Sequence, residues 1–201
     1  MKILLIQPKD IIGNYRPKRP LLAQAYLGAS LEKNGHNVKI LDMRIKKVEE
    51  EFDSILKEFN PDVVCFSLAS LTVQHAFELM NRVKAYNPNI IIFAGGPEVT
   101  TLSNYVLPKP NVDFIIVGEG EFVFPEFLEK YGKNKDWRDV PGLGYKENDK
   151  IIINDREIKD NLDNIPFPAW HLFDLKKYHR NIKRIKFPIM TARGCPHTCT
   201  F

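Results

Sequence analysis

The sequence predicts an α/β protein: a doubly wound, five-stranded parallel sheet of flavodoxin-like or Rossmann-like type, followed by a small linker that contains a hairpin. Two observations carry this. Short apolar runs recur through the first 117 residues, and amphipathic helical stretches separate them. Strands that alternate with helices build a parallel sheet covered on both faces, and such buried strands read as continuous apolar runs. Right-handed crossovers at this spacing give the strand order 2-1-3-4-5.

The elements follow in order. Lys2–Gln7 is almost wholly apolar and forms the first strand, and the loop Pro8–Pro20 after it is rich in Pro, Gly and basic residues. Leu21–Asn34 carries apolar residues at helical spacing, with Gly35 placed to stop it. Val38–Leu41 is the second strand, and Val48–Phe59 a second amphipathic helix. Val63–Phe66 is the third strand, ending in Ser67-Leu-Ala-Ser-Leu-Thr72, and a helix from about Thr72 to Tyr86 stops at Asn87-Pro88. Ile90–Ala94 makes strand four, ending in Gly95-Gly-Pro-Glu-Val-Thr100. A short helical segment leads to strand five, Phe114–Val117, which ends in Gly118-Glu-Gly-Glu121, and the helix after it reaches about Tyr131. Leu143–Lys146 and Lys150–Asn154, joined by Glu147-Asn-Asp149, read as the hairpin. Three segments result: an α/β domain over 1–131, a linker over 132–186 and a C-terminal piece over 187–201. Trp137, Trp170 and the aromatics of Phe167–Phe173 are expected to pack the linker, onto the first domain or onto whatever follows.

This architecture fixes where a ligand belongs. Open α/β sheets bind ligands outside the carboxyl ends of their strands, beside the point where strand order reverses. The loops on that edge are Pro8–Arg19, Ser67–Thr72, Gly95–Thr100 and Gly118–Glu121, and three of the four are built from Gly, Ser and Thr. Small residues let backbone approach a ligand closely, while hydroxyls and amides supply hydrogen bonds without bulk. Each such loop also suits an ordinary turn or helix cap; three on one edge favour a large ligand. A dinucleotide would call for G-x-G-x-x-G after strand one, where the sequence instead reads Pro8-Lys-Asp-Ile-Ile-Gly-Asn-Tyr15. The phosphate-cradling pattern G-x-x-x-x-G-K-[ST] does not occur. Without the glycines, Asp42 at the end of strand two is read as a loop residue rather than a ribose ligand. His75, one turn into the third helix on the ligand edge, is within reach of a bound ligand but reads rather as a solvated helix histidine.

Bulk properties narrow the classes further. The hydrophobic share of 44% supports a proper core. The net charge of +4 comes from scattered Lys and Arg, with the densest run at Lys176–Lys186, so a solvated face is expected and nucleic-acid binding is not. Three cysteines argue against a disulfide framework and for a reducing cytosol. No signal peptide is expected, and no run approaches the roughly 20 apolar residues of a membrane span. A cytoplasmic protein is expected.

The C-terminal stretch Thr191-Ala-Arg-Gly-Cys-Pro-His-Thr-Cys-Thr-Phe201 follows a short apolar run, Phe187–Met190. Taken alone, C-x-x-x-C fits two ordinary thiols or half of a zinc site. In its Arg-Gly-Cys-Pro context it resembles the start of the radical S-adenosylmethionine (SAM) enzymes, whose signature is C-x-x-x-C-x-aromatic-C. The resemblance implies that Cys195 and Cys199 are two of three thiolates for a 4Fe–4S cluster, whose fourth iron is chelated by SAM. The chain then looks like everything upstream of a radical SAM barrel, cut off inside the signature and lacking the third ligand.

Residues 1–131 resemble the cobalamin (B12)-binding domain that precedes the radical SAM core in one large class of these enzymes. Arg19-Pro-Leu-Leu22, Gly35-His-Asn-Val38, Ser67-Leu-Ala-Ser70, Gly95-Gly-Pro97 and Val117-Gly-Glu-Gly-Glu121 carry the likeness. Leu162-Asp-Asn-Ile-Pro-Phe-Pro-Ala169 is similar to the motif that joins this domain to the barrel. The resemblance implies that the cobalamin nucleotide tail enters the cleft at the strand ends, contacted by Ser67, Ser70, Thr72, Gly95, Gly96, Gly118, Glu119, Gly120 and Glu121. Cobalamin mutases carry D-x-H-x-x-G after strand one, whose His ligates cobalt; Pro8–Arg19 has no His. Glu98 stands where relatives often carry His in Gly-Gly-Pro-His. The parent protein is thereby expected to be a radical SAM enzyme, a methyltransferase acting on an unactivated carbon or phosphorus centre of a small-molecule substrate, with this chain a non-catalytic binding module. The alternatives are a flavodoxin-like domain that has lost cobalamin and serves in substrate binding or interaction, or part of an anaerobic magnesium-protoporphyrin cyclase-like enzyme.

Overall fold

The computed structural model describes residues 1–12, 17, 19–158, 161–178, 185–194 and 197. Strands β1 (Lys2–Gln7), β2 (Asn37–Asp42), β3 (Val63–Ser67), β4 (Ile91–Gly95) and β5 (Phe114–Ile116) pair in parallel in the expected order 2-1-3-4-5. The hairpin forms as strands β6 (Leu143–Glu147) and β7 (Lys150–Ile153) and continues the sheet: β6 lies antiparallel on β5, giving seven strands in the order 2-1-3-4-5-6-7. Asn148 and Asp149 take positive φ (50° and 61°) at its turn, which these residue types tolerate.

The strand side chains alternate between two apolar layers, as the twofold period of a strand requires. Leu4, Ile6, Val64, Phe66, Ile92 and Ala94 face one layer, against α2 (Lys46–Glu50), α3 (Phe52–Phe59), α4 (Val73–Tyr86), α5 (Pro97–Thr101) and α6 (Ser103–Val106). Ile3, Leu5, Val63, Cys65 and Phe93 face the other, against α1 (Leu22–Lys33) and α7 (Gly120–Gly132). The single helix expected over Val48–Phe59 is two pieces that part at Glu51; Val48, Phe52 and Leu56 are all buried across the break. Trp137 packs onto the first domain, its ring centroid 5.2 Å from Phe114 and 5.5 Å from Phe127, both edge to face.

Two local features set the shape of the strand-end edge. Helix α7 contains Pro125, which has no N–H to give to the carbonyl of Glu121. The Ser30 hydroxyl on α1 donates to that carbonyl instead, at 2.7 Å, and so ties the start of α7 to α1. The segment after the hairpin returns across α1, where the Ala169 N–H donates to the Ala25 carbonyl at 3.0 Å. It ends in α8 (Leu175–Tyr178) beside β2. There Asp42 is buried rather than a loop residue: it is 4% exposed, pairs with Arg44 at 2.6 Å and accepts from the Tyr178 hydroxyl at 2.8 Å. The hydrogen bond arrives from a residue 136 positions away, which local pattern could not reveal. Burial, then the Asp42 charge, drives the Tyr178 phenol far above its ordinary range. Among the described residues no helix is long and apolar enough to cross a membrane.

Candidate functional site

A cleft of about 130 Å³ opens at the carboxyl ends of β1, β3, β4 and β5, under the first turns of α1 and α7. Ser67, Gly95, Gly96, Gly118, Gly120 and Glu121 line it. Ser70, Thr72 and Glu119, also expected there, are not among the residues that line it. Thr72 is buried and closes its own turn, its hydroxyl accepting from the Ala69 N–H at 2.9 Å. The Ser70 hydroxyl donates to the Glu98 carboxylate at 2.6 Å. Glu119 pairs with Arg193 at 3.1 Å, and the same guanidinium holds Glu121 at 2.7 Å. Cys195 and Cys199 lie outside the described residues.

The glycines keep the cleft open in different ways. Gly96 sits at φ 101° as the residue before α5, and a Cβ there would lie 2.6 Å from the Leu68 carbonyl oxygen. Gly118 takes φ 92°, with its N–H donating to the Thr100 hydroxyl at 3.1 Å. Both positions lie where a side chain is strained. Gly95 has ordinary backbone, and a Cβ there would meet nothing nearer than Ile116 at 3.8 Å. Only the width of the cleft depends on Gly95 lacking a side chain.

The floor and walls are apolar, from Leu5, Leu27, Phe66 and Ile116. Cys65 also lines the cleft, but burial pushes its thiol up to about 12, so it stays protonated and behaves as an apolar wall. Gln24 is a residue that sequence reasoning missed. It lines the cleft at 4% exposure, and its Oε1 is buried without a hydrogen-bond partner among the described residues. An unpaired buried amide oxygen costs about 1–3 kcal/mol. A signal was present: Gln24, Gly28 and Leu31 fall at i, i+4 and i+7 on the buried stripe of α1, and Gln is out of place there.

A larger groove of about 1060 Å³ lies between the loop after β1, α2, α4 and α8. Its cations are largely matched: Lys9 pairs with Glu49, and Lys47 and Lys177 with Glu51 at 3.7 and 3.3 Å. His75 lies here and is buried at 6% exposure rather than solvated. The loop after β1 crosses over it, and the Lys9 N–H donates to its Nδ1 at 3.0 Å. Its Nε2 is 3.4 Å from Glu49. Burial first, and the Lys9 charge second, hold its pKa below the ordinary value, against the opposing pull of Glu49 and Glu78.

The apolar walls and the glycine rim together suit a group that brings apolar surface close to backbone. A family model for the B12 binding domain matches residues 8–128, well over half of the chain. An uncharacterized methyltransferase of Pyrococcus horikoshii is 33% identical over 211 residues, which span 100% of this chain and 45% of that protein. The cytidylyl-2-hydroxyethylphosphonate methyltransferase of Streptomyces wedmorensis is 28% identical, over 100% of this chain and 47% of its own length. The chain therefore spans about half the length of these relatives. Among solved structures, the cobalamin-dependent S-adenosylmethionine radical enzyme OxsB with aqua-cobalamin bound shares the fold with a TM-score of 0.76 at 20% identity, over 88% of this chain and 25% of that one.

Proposed function

The chain belongs to the B12-binding domain family, and from that premise we propose that it is the cobalamin module of a radical SAM methyltransferase whose substrate carries an unactivated carbon or phosphorus centre. In this reading residues 1–131 bind the cofactor, 132–186 extend its sheet through the hairpin and lead on as the linker, and 187–201 begin the radical SAM core. The observation that carries it is the cleft: three glycine- and hydroxyl-bearing loops converge at the strand-order reversal over apolar walls. Cobalamin, when bound, supplies a cobalt centre for methyl transfer.

The chain's own residues would act by holding and shielding. Gly95, Gly96, Gly118 and Gly120 let the tail pass close to backbone, and the apolar walls exclude water from it. Ser67 and Gln24 supply the polar contacts. Arg193 fixes the Glu119 and Glu121 carboxylates at the rim. Selecting the substrate and cleaving SAM fall to parts of the longer protein, so the chain by itself is a binding module. Cys195 and Cys199 are proposed as two of the three cluster ligands there.

Incubation with hydroxocobalamin followed by gel filtration tests the reading. A cobalamin spectrum retained in about one equivalent is expected; a colourless protein would leave the flavodoxin-like interaction domain as the better account. No histidine occurs in the loop after β1, so this loop would offer a bound cobalt no imidazole ligand. Electron paramagnetic resonance of the Co(II) form should lack superhyperfine splitting from a protein imidazole nitrogen, and its presence would overturn that expectation.

A further inference from the structure

We propose that the segment Ala169–Tyr178 is a strap behind α1, and that a tail-bearing corrinoid enters the cleft only as α1 yields against it. The inference rests on the cobalamin reading above and adds a conformational step to it. An apolar cavity of about 150 Å³ takes up one benzene ring. The tail of cobalamin carries two fused rings on a ribose, so a cleft of about 130 Å³ must widen to receive it. Its walls are not equally free to give. Leu5, Cys65, Phe66, Ser67, Gly95 and Ile116 belong to strands that are each paired on both sides. The start of α7 is tied to its neighbours: the Gly118 N–H donates to the Thr100 hydroxyl at 3.1 Å, and Arg193 holds the Glu119 and Glu121 carboxylates. The first two turns of α1 are the softer wall. From Leu22 to Ala29 the described residues give α1 one hydrogen bond to another element, the Ala169 N–H on the Ala25 carbonyl at 3.0 Å, besides the Arg193 guanidinium over the Tyr26 ring. Ser30, further along, ties α1 to α7 at 2.7 Å and leaves those turns free to swing about it.

The strap stands behind that wall. Successive positions advance about 100° round a helix, so Ala23, Gln24 and Leu27, which line the cleft, are centred roughly 130° from Ala25, Gly28 and Glu32. The second set meets the strap. Ala25 takes the Ala169 N–H, and the His171 Nε2 is 2.9 Å from the Glu32 carboxylate. Gly28 lets Leu172 close on the helix, where a Cβ would stand 2.7 Å from the Leu172 Cδ1. Beyond these contacts the strap is anchored by Phe173 and Tyr178, both buried, with the Tyr178 hydroxyl on Asp42 at 2.8 Å. No residue of 169–178 lines the cleft, so the strap reaches a ligand there only through α1. Contacts that α1 gives up as it swings back belong to the narrow form alone. Removing them costs the wide form nothing and raises its population, and apparent affinity rises with the fraction of molecules competent to bind.

The test is equilibrium dialysis of this chain against aqua-cobalamin and against cobinamide, which has the ring but no nucleotide tail. Bound corrinoid is read from its visible absorption, and circular dichroism checks that each variant is folded. Ala169→Pro removes the N–H that reaches Ala25, at a φ of −79° that proline accepts. Leu172→Ala removes the side chain packed on Gly28. Each variant should bind aqua-cobalamin about fivefold more tightly than the unaltered chain, the equivalent of one ordinary hydrogen bond. Retention of cobinamide, which needs no wider cleft, should change by less than about twofold in either. An affinity for aqua-cobalamin that is unchanged or weaker in either folded variant would overturn the strap and leave the cobalamin reading standing. An equal gain for cobinamide would show that the strap does not act through the tail cleft, and would overturn the inference as well. Retention of neither corrinoid by the unaltered chain would overturn the cobalamin reading, and this inference with it.

Discussion

Replacing Gly95 with Leu should make the protein more stable while abolishing its capacity for the cofactor. Gly95 ends β4 in register with Ser67, and its backbone needs no positive φ. The first added carbon meets only Ile116, at an ordinary 3.8 Å, so the substitution begins without strain. The rest of the Leu side chain has one place to go, the cleft of about 130 Å³ that Gly95 helps to line. Filling a pre-existing apolar void commonly stabilises by about 0.5–2 kcal/mol. For a chain of this size that is a rise in melting temperature of about 2–4 °C per kcal/mol. The same atoms occupy the volume the tail requires, so retained cobalamin should fall below detection. Differential scanning calorimetry and the retained spectrum are to be measured on one preparation. Gly96→Ala is the control with the opposite sign. Its Cβ would stand 2.6 Å from the Leu68 carbonyl at φ 101°, and the strain alone costs about 1–3 kcal/mol. If Gly95→Leu binds cobalamin as well as the parent, the cleft is not the tail site. If it melts lower by several degrees, the void is not available to a side chain, and the reasoning fails at its first step.

Two further outcomes follow from buried polar groups away from the cleft. Tyr178→Phe removes the hydrogen bond to the Asp42 carboxylate but leaves Arg44 in place, so urea unfolding should show a loss of about 1.5–3 kcal/mol with the m-value unchanged; a loss below about 0.5 kcal/mol would show that α8 is not held through this contact. His75 has a pKa lowered from 6.5, so the unfolded chain binds its proton more readily than the folded one. Its contribution is full above about pH 6.5 and shrinks as pH falls below that, towards the lower folded value. His75→Asn, which keeps an acceptor near the Lys9 N–H, should flatten the fall in urea midpoint between about pH 7.5 and 5. His36, also lowered, titrates in both proteins and cancels in the comparison. Identical slopes would contradict the assignment.

What the sequence made legible were features whose cause is local. The parallel sheet follows from five runs such as Lys2–Gln7 and Val63–Phe66, each apolar on both faces and each followed by a helical stripe, and the strand order follows from the handedness of their crossovers. The glycine rim of the cleft follows from the same rule, since loops at the carboxyl edge must converge. What was not legible depends on partners distant in sequence. Asp42 reads as a loop residue until Tyr178 and Arg44 close over it. His75 reads as solvated because a helix wheel does not show that the loop after β1 will cross it. The hairpin was readable as a hairpin, but nothing in Leu143–Glu147 announces that it lies antiparallel on β5. Gln24 lies between these cases: its misfit on an apolar stripe was visible, but its unpaired oxygen emerges only from packing.

Arg193 has a consequence beyond holding two glutamates. Its guanidinium also lies over the Tyr26 ring, 5.4 Å from the centroid, so one side chain bridges α1, the rim of the cleft and the stretch two residues short of Cys195. A bridge of this kind conducts in both directions. Whatever free energy a filled cleft contributes to fixing the segment at Arg193, an ordered segment returns to ligand affinity in equal measure, because coupling between two binding equilibria is reciprocal. Loading of the cleft and fixing of the segment at its rim then become two measurements of a single quantity. Arg193→Ala should erase it from both at once.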